Sequence, residues 1–106
     1  AKKMRESGSI VIAALISPFE MDRRLAKEII GAANFIEVFV DCSLATCENR
    51  DVKGLYKKAR AGQIENFTGI SSPYEPPKSP DIVVRTDRSD VSVSFDELLK
   101  FLKAVV

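Results

Sequence analysis

The stretch IVIAALISPFE at residues 10–20 decides the fold class of this chain. Its first seven residues form a continuous apolar run, which is typical of a strand buried on both faces of a parallel sheet. Ser17, Pro18 and Glu20 then match a capping box, in which a serine and a glutamate three residues later satisfy the first free N–H groups of a helix. The stretch therefore predicts a strand over 10–16 that leads directly into a helix.

The rest of the chain continues this alternation of strand and helix. Gly8 closes a first helical segment, Gly31 ends the helix predicted over 18–30, and Ser94 with Glu97 forms a second capping box before a final helix. Strands are predicted at FIEVFV (35–40) and DIVVRT (81–86), and a short helix at about 44–50. This order predicts an α/β fold, with a parallel sheet of about three strands and flanking helices.

Composition excludes several classes of function. The 106 residues suffice for one small domain, and 16 Lys and Arg against 15 Asp and Glu argue against a general nucleic-acid binder. The chain has no histidine, so neither a Ser-His-Asp triad nor a histidine-ligated metal site is available. No apolar run approaches the roughly 20 residues of a membrane span. We expect a cytoplasmic protein in which Cys42 and Cys47 stay reduced.

The carboxyl ends of the predicted strands are where parallel α/β sheets bind ligands. Residues 16–18, 41–43 and 86–90 lie at these ends. Ser17 also stands at a predicted helix N-terminus, where free N–H groups favour an anion, although the pattern alone favours a simple capping role.

Residues 51–70, here called the lid segment, are basic at first and carry three glycines, which predicts a helical hairpin or a mobile lid. Five cations in and just before it suit a polyphosphate or sulfate ligand, or form a solvated helix face: Arg50, Lys53, Lys57, Lys58 and Arg60. Phe67 could stack on a base or fill the core. The phosphate-loop pattern Gly-x-x-x-x-Gly-Lys-Ser/Thr is absent from these residues.

Longer motifs in the lid segment resemble those of the adenylylsulfate kinases. The motifs are DVKGLYKKARAG at 51–62 and NFTGI at 66–70, and the resemblance extends to LISP at 15–18, FIEVFVD at 35–41 and SPYE at 72–75. It implies a P-loop-kinase-like fold and the transfer of a phosphate from Mg-ATP to the 3′-hydroxyl of adenylylsulfate. The product, 3′-phosphoadenylylsulfate, is the activated sulfate donor of sulfate assimilation. ATP and Mg²⁺ are the implied cofactors.

The resemblance also implies a role for individual residues. Ile16 and Ser17 match the pair that contacts adenylylsulfate, and Ser17 is in addition a candidate phosphoserine of the catalytic site. Lys53 matches the lysine that reaches the anionic groups of this substrate. Asn66 and Phe67 match the pair at its adenine, where Phe67 would be one half of an aromatic clamp.

The ATP base is expected at Arg50 and in the segment 86–90, especially at Ser89. No metal ligand is assigned to this chain, because the phosphate loop and the Asp-Gly-Asp substrate motif of the family are missing from it. A milder departure from the family is Leu15, which replaces the usual phenylalanine. We therefore interpret residues 1–106 as the carboxyl-terminal part of one kinase domain, inactive alone, and completed by an amino-terminal half or as a homodimer. The alternatives are a non-catalytic nucleotide-binding module and a dimerisation segment.

Overall fold

The computed structural model describes all 106 residues and shows five helices and two strands. In chain order they are α1 (Lys2–Glu6), α2 (Glu20–Ile30), β1 (Val38–Asp41), α3 (Leu44–Arg50), α4 (Leu55–Arg60), β2 (Ile82–Arg85) and α5 (Val91–Val105), with a short 3-10 turn at Ala32–Asn34. The predicted α/β alternation is confirmed from α2 onward. None of the helices is long and apolar enough to cross a membrane.

The sheet consists of β1 and β2, which pair in parallel from Val38 opposite Ile82 to Asp41 opposite Arg85. Two hydrogen bonds between Glu37 and Asp81 fix this register at the start of the strands. The Asp81 N–H donates to the Glu37 carbonyl at 2.9 Å, and the Asp81 carboxylate accepts from the Glu37 N–H at 2.7 Å. The carboxyl ends of both strands consequently lie side by side, as the sequence predicts.

The third strand predicted at residues 10–16 does not form, so the prediction of about three strands is wrong by one. Residues 10–19 have no regular secondary structure. The side chains of Ile10, Ile12, Leu15 and Ile16 are between 69% and 85% exposed. A strand exists only through hydrogen bonds to a neighbouring strand, and nothing within this chain pairs with the apolar run.

The capping box predicted at Ser17 and Glu20 is also wrong. Helix α2 begins at Glu20, and its N-cap residue Phe19 supplies no side-chain cap. The N–H of Glu20 instead donates to the carboxylate of Glu75 at 2.9 Å, across 55 positions of the sequence. A distant contact therefore satisfies the donor that the local motif was expected to satisfy.

The second predicted capping box, Ser94 with Glu97, is wrong as well, because helix α5 already begins at Val91. Asp90 is the N-cap, and its carboxylate accepts from the Val93 N–H at 3.0 Å and from the Ser92 hydroxyl at 3.2 Å. These bonds favour the charged form, the one to the Val93 N–H most, and lower the pKa of Asp90. Ser94 instead lies within the helix and is buried.

Substitution of Asp90→Ala should lower the thermal midpoint and the helical circular-dichroism signal, because it removes the acceptor at the first turn of α5. Since the folded-state pKa is depressed, the contribution is present above the ordinary pKa of aspartate and is lost as the pH falls through the depressed value. The difference from the wild type should therefore vanish in acid. Ser94→Ala is the control, and a larger loss there than in Asp90→Ala would contradict the assignment.

The interior of this chain is small. Only Ala59, Val84 and Ser94 are buried. The radius of gyration is 15.6 Å, against about 13 Å for a compact domain of this length. Met21, Leu25 and Ile29 lie at helical spacing on one stripe of α2, yet they are between 54% and 79% exposed. Residues 10–16 and this stripe of α2 both expose large apolar side chains, which soluble domains normally pack against more protein.

Candidate functional site

The carboxyl edge of the sheet carries the first candidate region. Arg50, the last residue of α3, donates a hydrogen bond from its guanidinium to the Thr86 carbonyl at 2.7 Å and lies 3.9 Å from the Cys42 sulfur. The Thr86 N–H in turn donates to the Asp41 carbonyl at 3.0 Å. These contacts attach the end of α3 to the segment that follows β2, so that both candidate ATP segments lie together.

A cavity of about 470 Å³ opens here between the sheet and α5, and both Arg50 and Ser89 line it. Its walls are mainly apolar, with Val38, Val40, Val84, Val91, Phe95 and Leu98 among the lining residues. The structure thus brings together the two residues predicted to hold the ATP base. An apolar cavity with few polar groups at its margin suits a planar heterocycle, which needs flat contact and one or two hydrogen bonds.

Ser94 is a further residue of this cavity that the sequence assigned to a helix cap instead. It lines the cavity, is 8% exposed, and its buried hydroxyl has no hydrogen-bond partner within the chain. A buried hydroxyl without a partner is costly, so a ligand that binds it would gain affinity. The helical spacing of Val91, Ser94 and Leu98 is the sequence signal that would have placed Ser94 on the inner face of α5.

The start of the lid segment is held by Asp51. Its carboxylate accepts from the N–H groups of Tyr56 at 2.9 Å and Lys57 at 3.1 Å, and so caps α4. Asp51 itself has a φ of 23°, and Gly54 occupies the left-handed region with a φ of 68°. Lys53 lies in the tight turn between them and is exposed. Its ammonium group is therefore free to reach a ligand from a fixed backbone.

The aromatic residue predicted to stack on adenine is supported from one side. The rings of Phe67 and Tyr56 meet edge to face, with centroids 4.9 Å apart and planes at 72°. Burial raises the pKa of Tyr56, so the phenol stays uncharged at neutral pH. The backbone of Phe67 is also fixed, because its N–H donates to the Ser71 hydroxyl at 2.8 Å. Asn66, beside it, is exposed with a φ of 53°.

The lid segment contains one helix rather than the helical hairpin that was one of its two predicted forms. After α4 the chain continues in turns, in which the Phe67 carbonyl accepts the N–H groups of Ile70, Ser71 and Ser72. In a second helix, each carbonyl would instead accept the N–H of the residue four positions later.

The cations of the lid segment divide into two groups. Arg60 forms a bidentate pair with Glu48 of α3, with distances of 2.6 and 3.1 Å between their nitrogen and oxygen atoms. The hydrogen bond from Arg60 lowers the pKa of Glu48, and the same bond raises the pKa of Arg60. Arg50 is likewise bound to the protein. The three lysines remain exposed and are the charges available to an anion: Lys53, Lys57 and Lys58.

The predicted substrate residues Ile16 and Ser17 lie on a separate segment. Ile16 is 69% exposed, and Ser17 has a φ of 42°. The Ser17 carbonyl accepts a hydrogen bond from Arg23, whereas no hydrogen bond joins its hydroxyl to any other residue. No hydrogen bond or ion pair connects Ser17 with Lys53, Asn66 or Phe67. The structure thus fixes the two halves of the predicted substrate site individually, without direct contact between them.

The two cysteines, Cys42 and Cys47, are free thiols in the structure. Burial raises the pKa of Cys47, and a hydrogen bond with Cys42 acts in the same direction. A raised pKa leaves little thiolate at neutral pH, so Cys47 has the character of a structural thiol rather than that of a nucleophile.

Comparison with known proteins identifies the family. The family model described as "Adenylylsulphate kinase" matches residues 1–85. The adenylyl-sulfate kinase of Acaryochloris marina is 52% identical over 103 residues, which cover 97% of this chain and 50% of that protein. The adenylyl-sulfate kinase of Pseudomonas aeruginosa is 53% identical, with 97% of this chain and 53% of that protein covered.

A solved structure is similar as well. The Mycobacterium tuberculosis APS kinase CysC, in complex with AMPPNP and APS, superimposes with a TM-score of 0.85 at 44% identity, covering 95% of this chain and 59% of that one. The chain thus spans about half the length of the curated relatives that it matches. A family model that matches most of the chain, relatives about half identical to it and a similar solved structure all agree: the chain belongs to the adenylylsulphate kinase family.

Proposed function

We propose that this chain is the lid and substrate part of an adenylylsulfate kinase. The complete enzyme would transfer the γ-phosphate of ATP to the 3′-hydroxyl of adenylylsulfate and release 3′-phosphoadenylylsulfate. The observation that carries the proposal is the arrangement of the lid segment, in which the Phe67 ring is supported by Tyr56 and Lys53 is exposed on a capped turn. The similar Mycobacterium tuberculosis enzyme, whose complex holds AMPPNP and APS, supports the same ligand pair.

The adenylylsulfate site would be formed by two segments. Phe67 offers an aromatic face to the adenine, with Asn66 beside it, while Lys53 neutralises part of the charge on the phosphate and sulfate groups. Ile16 and Ser17 would contact the substrate from the opposite segment. Because the chain holds each segment by its own hydrogen bonds, the backbone of each segment is largely arranged before the ligand arrives, which lowers the entropic cost of binding.

The ATP base would occupy the cavity between the sheet and α5. Arg50 and Ser89 line this cavity, and the unpartnered hydroxyl of Ser94 supplies a further polar group for the edge of the base. The guanidinium of Arg50 is held by the Thr86 carbonyl, and its planar surface can stack on a purine. The residues present therefore fit the base of a nucleotide.

The residues present do not form a site for Mg²⁺. No group of three or more acidic, cysteine or histidine side chains is placed to hold a metal ion. The phosphate loop, which binds the ATP phosphates in this class of kinase, is also not among these residues. We therefore derive no step of the phosphoryl transfer from this chain and assign its residues to substrate binding and orientation.

For Ser17 we propose binding rather than covalent catalysis. A serine nucleophile needs an adjacent base to accept its proton. The Ser17 hydroxyl has no hydrogen-bonded partner of this kind, and the chain contains no histidine. Its role in the proposed site is therefore that of a hydrogen-bonding group toward adenylylsulfate, and the candidate phosphoserine role is the less favoured one.

A second candidate is a binding module that holds adenylylsulfate or ATP without chemistry. The observation in its favour is that the cavity and the supported Phe67 are both present in a chain that lacks the phosphate loop. For either candidate we propose a reducing, cytoplasmic location. We also propose that an amino-terminal half or a second copy of the chain covers the exposed apolar surface.

Calorimetric titration with adenylylsulfate tests the proposed site. We expect Lys53→Met to weaken binding by about five- to twentyfold, because an ammonium group that contacts an anion contributes about 1–2 kcal/mol. Lys57→Met is the matched control, since Lys57 is also an exposed lysine of the same segment. Equal losses in the two variants would contradict a specific role for Lys53, and a wild-type chain that binds no adenylylsulfate would exclude the binding-module candidate.

A further inference from the structure

Arg23 on α2 has no role in the predicted site, yet its guanidinium is the most connected side-chain group of the structure. It donates to the Ser17 carbonyl and to the Glu75 carbonyl, both at 2.5 Å, and to the Glu20 carboxylate at 2.7 Å. A further carboxylate, that of Glu37, lies 3.8 Å away. One side chain thus joins the turn at Ser17, the start of α2 and the segment that follows the lid.

The surroundings of Arg23 make these contacts stronger than those of an ordinary surface arginine. Its side chain is only 11% exposed, and the guanidinium lies over the Tyr74 ring, 5.9 Å from the centroid. Tyr74 in turn stacks on Phe39 of β1, with centroids 6.4 Å apart. The group is therefore shielded from water and anchored to the sheet, where hydrogen bonds and charge pairs are weakened less by solvent.

The two segments that Arg23 joins also bond to each other. The Glu75 N–H donates to the Pro18 carbonyl at 2.8 Å, and the Glu75 carboxylate accepts from the Glu20 N–H at 2.9 Å. Ser17 meanwhile holds a φ of 42°, a conformation that a serine adopts only when its surroundings impose it. The bond from Arg23 to the Ser17 carbonyl is the contact best placed to impose it.

From this geometry we infer that Arg23 is a positioning residue. It holds the turn of Ile16 and Ser17 at a fixed place relative to residues 73–75, and therefore relative to the lid segment that ends just before them. The inference deepens the proposed function and rests on it, because the turn and the lid segment carry the two halves of the proposed adenylylsulfate site. In this role Arg23 does not contact the ligand itself. It sets the distance between the two halves of the proposed site.

A lysine cannot replace Arg23 in this role. Its single ammonium group can reach one of the three acceptors but cannot fork across two carbonyls and a carboxylate at once. Arg23→Lys therefore keeps the charge and most of the volume while it removes the geometry. Arg24→Lys is the matched control, because Arg24 is the next residue of the same helix, is exposed, and forms no salt bridge.

Two measurements on the wild-type chain and these two variants test the inference. The first is hydrogen exchange at the amides of Glu20 and Glu75, whose acceptors lie on the partner segment. We expect at least about tenfold faster exchange at both amides in Arg23→Lys and no change in Arg24→Lys. Unchanged exchange in Arg23→Lys would overturn the inference.

The second measurement compares the affinities for adenylylsulfate and for a non-hydrolysable ATP analogue. We expect Arg23→Lys to weaken adenylylsulfate binding about tenfold while affinity for the ATP analogue stays within twofold, because none of the residues that Arg23 bonds to lines the cavity beside Arg50. Equal loss of both affinities would indicate general destabilisation and overturn the inference. A wild-type chain that binds no adenylylsulfate would instead contradict the proposed site, and the exchange rates would then decide on their own whether Arg23 couples the two segments.

Discussion

This chain alone should form 3′-phosphoadenylylsulfate from ATP and adenylylsulfate at less than about one thousandth of the rate of a full-length family member. Phosphoryl transfer is catalysed by positioning and by charge neutralisation at the phosphates, and the loss of a single such group costs about 10²–10³ in rate. The proposed site in this chain would hold both adenine groups, but the chain has no phosphate loop. The rate of product formation, followed by chromatography, is the measurement.

Addition of the amino-terminal half of a full-length relative, expressed separately, should restore turnover. The physical reason is the exposed apolar surface of residues 10–16 and of α2, together with the edge of β1 that has no paired strand in the described structure. Burial of these apolar side chains should drive the association of the two halves. A full kinase rate from the chain alone would contradict the proposal. A stable complex of the halves without turnover would favour the binding-module candidate.

Phe67→Ala should raise the KM for adenylylsulfate by about 10- to 100-fold in the completed enzyme. An aromatic side chain that stacks on a base contributes about 1–3 kcal/mol, and alanine removes the whole face. The KM for ATP should stay nearly unchanged, because the cavity beside Arg50 and Ser89 is formed by other elements. Steady-state kinetics with each substrate varied in turn is the measurement.

Phe67→Tyr is the control for this change, since it keeps an aromatic face of the same shape and should stay within about threefold of the wild type. A Phe67→Ala variant with an unaltered KM for adenylylsulfate would show that the ring packs against Tyr56 only as part of the lid. An equal rise of both KM values would likewise count against stacking, because it would report a general loss of lid structure.

Much of the fold was predictable because it depends on local patterns. The apolar runs at 35–40 and 81–86 became β1 and β2 with small shifts in their ends, and α3 has the predicted bounds. Gly31 ends α2 as expected, with a positive φ that a glycine adopts without strain. In each case the signal lies within a few residues, so no distant contact was needed to read it.

The capping boxes show the limit of local patterns. Ser17 with Glu20 and Ser94 with Glu97 both match the motif, yet Glu75 and Asp90 satisfy the two helix starts. The Glu75 contact spans 55 positions, and no local motif could report it. At α5 the choice between Asp90 and Ser94 is a local one, but packing decides it, because α5 lies against β2 with Ser94 on its buried side.

The candidate site divides in the same way. The lid motif and the residues Lys53, Asn66 and Phe67 follow from the sequence through their resemblance to a known family. The support of Phe67 by Tyr56 and the cavity shared by Arg50 and Ser89 required the folded chain, because these contacts join elements that are separate in sequence.

By itself, the sequence determined the alternation of helix and strand, the two parallel strands and the family, because hydrophobic periodicity and motif spacing are properties of neighbouring residues. Only the tertiary structure decided that residues 10–16 remain unpaired and that Arg23 joins the Ser17 turn to Glu75. A strand requires a partner that supplies its hydrogen bonds, and a buried guanidinium requires acceptors from several segments. Neither a strand partner nor the Glu75 carbonyl, 52 positions away from Arg23, can be predicted from a local pattern.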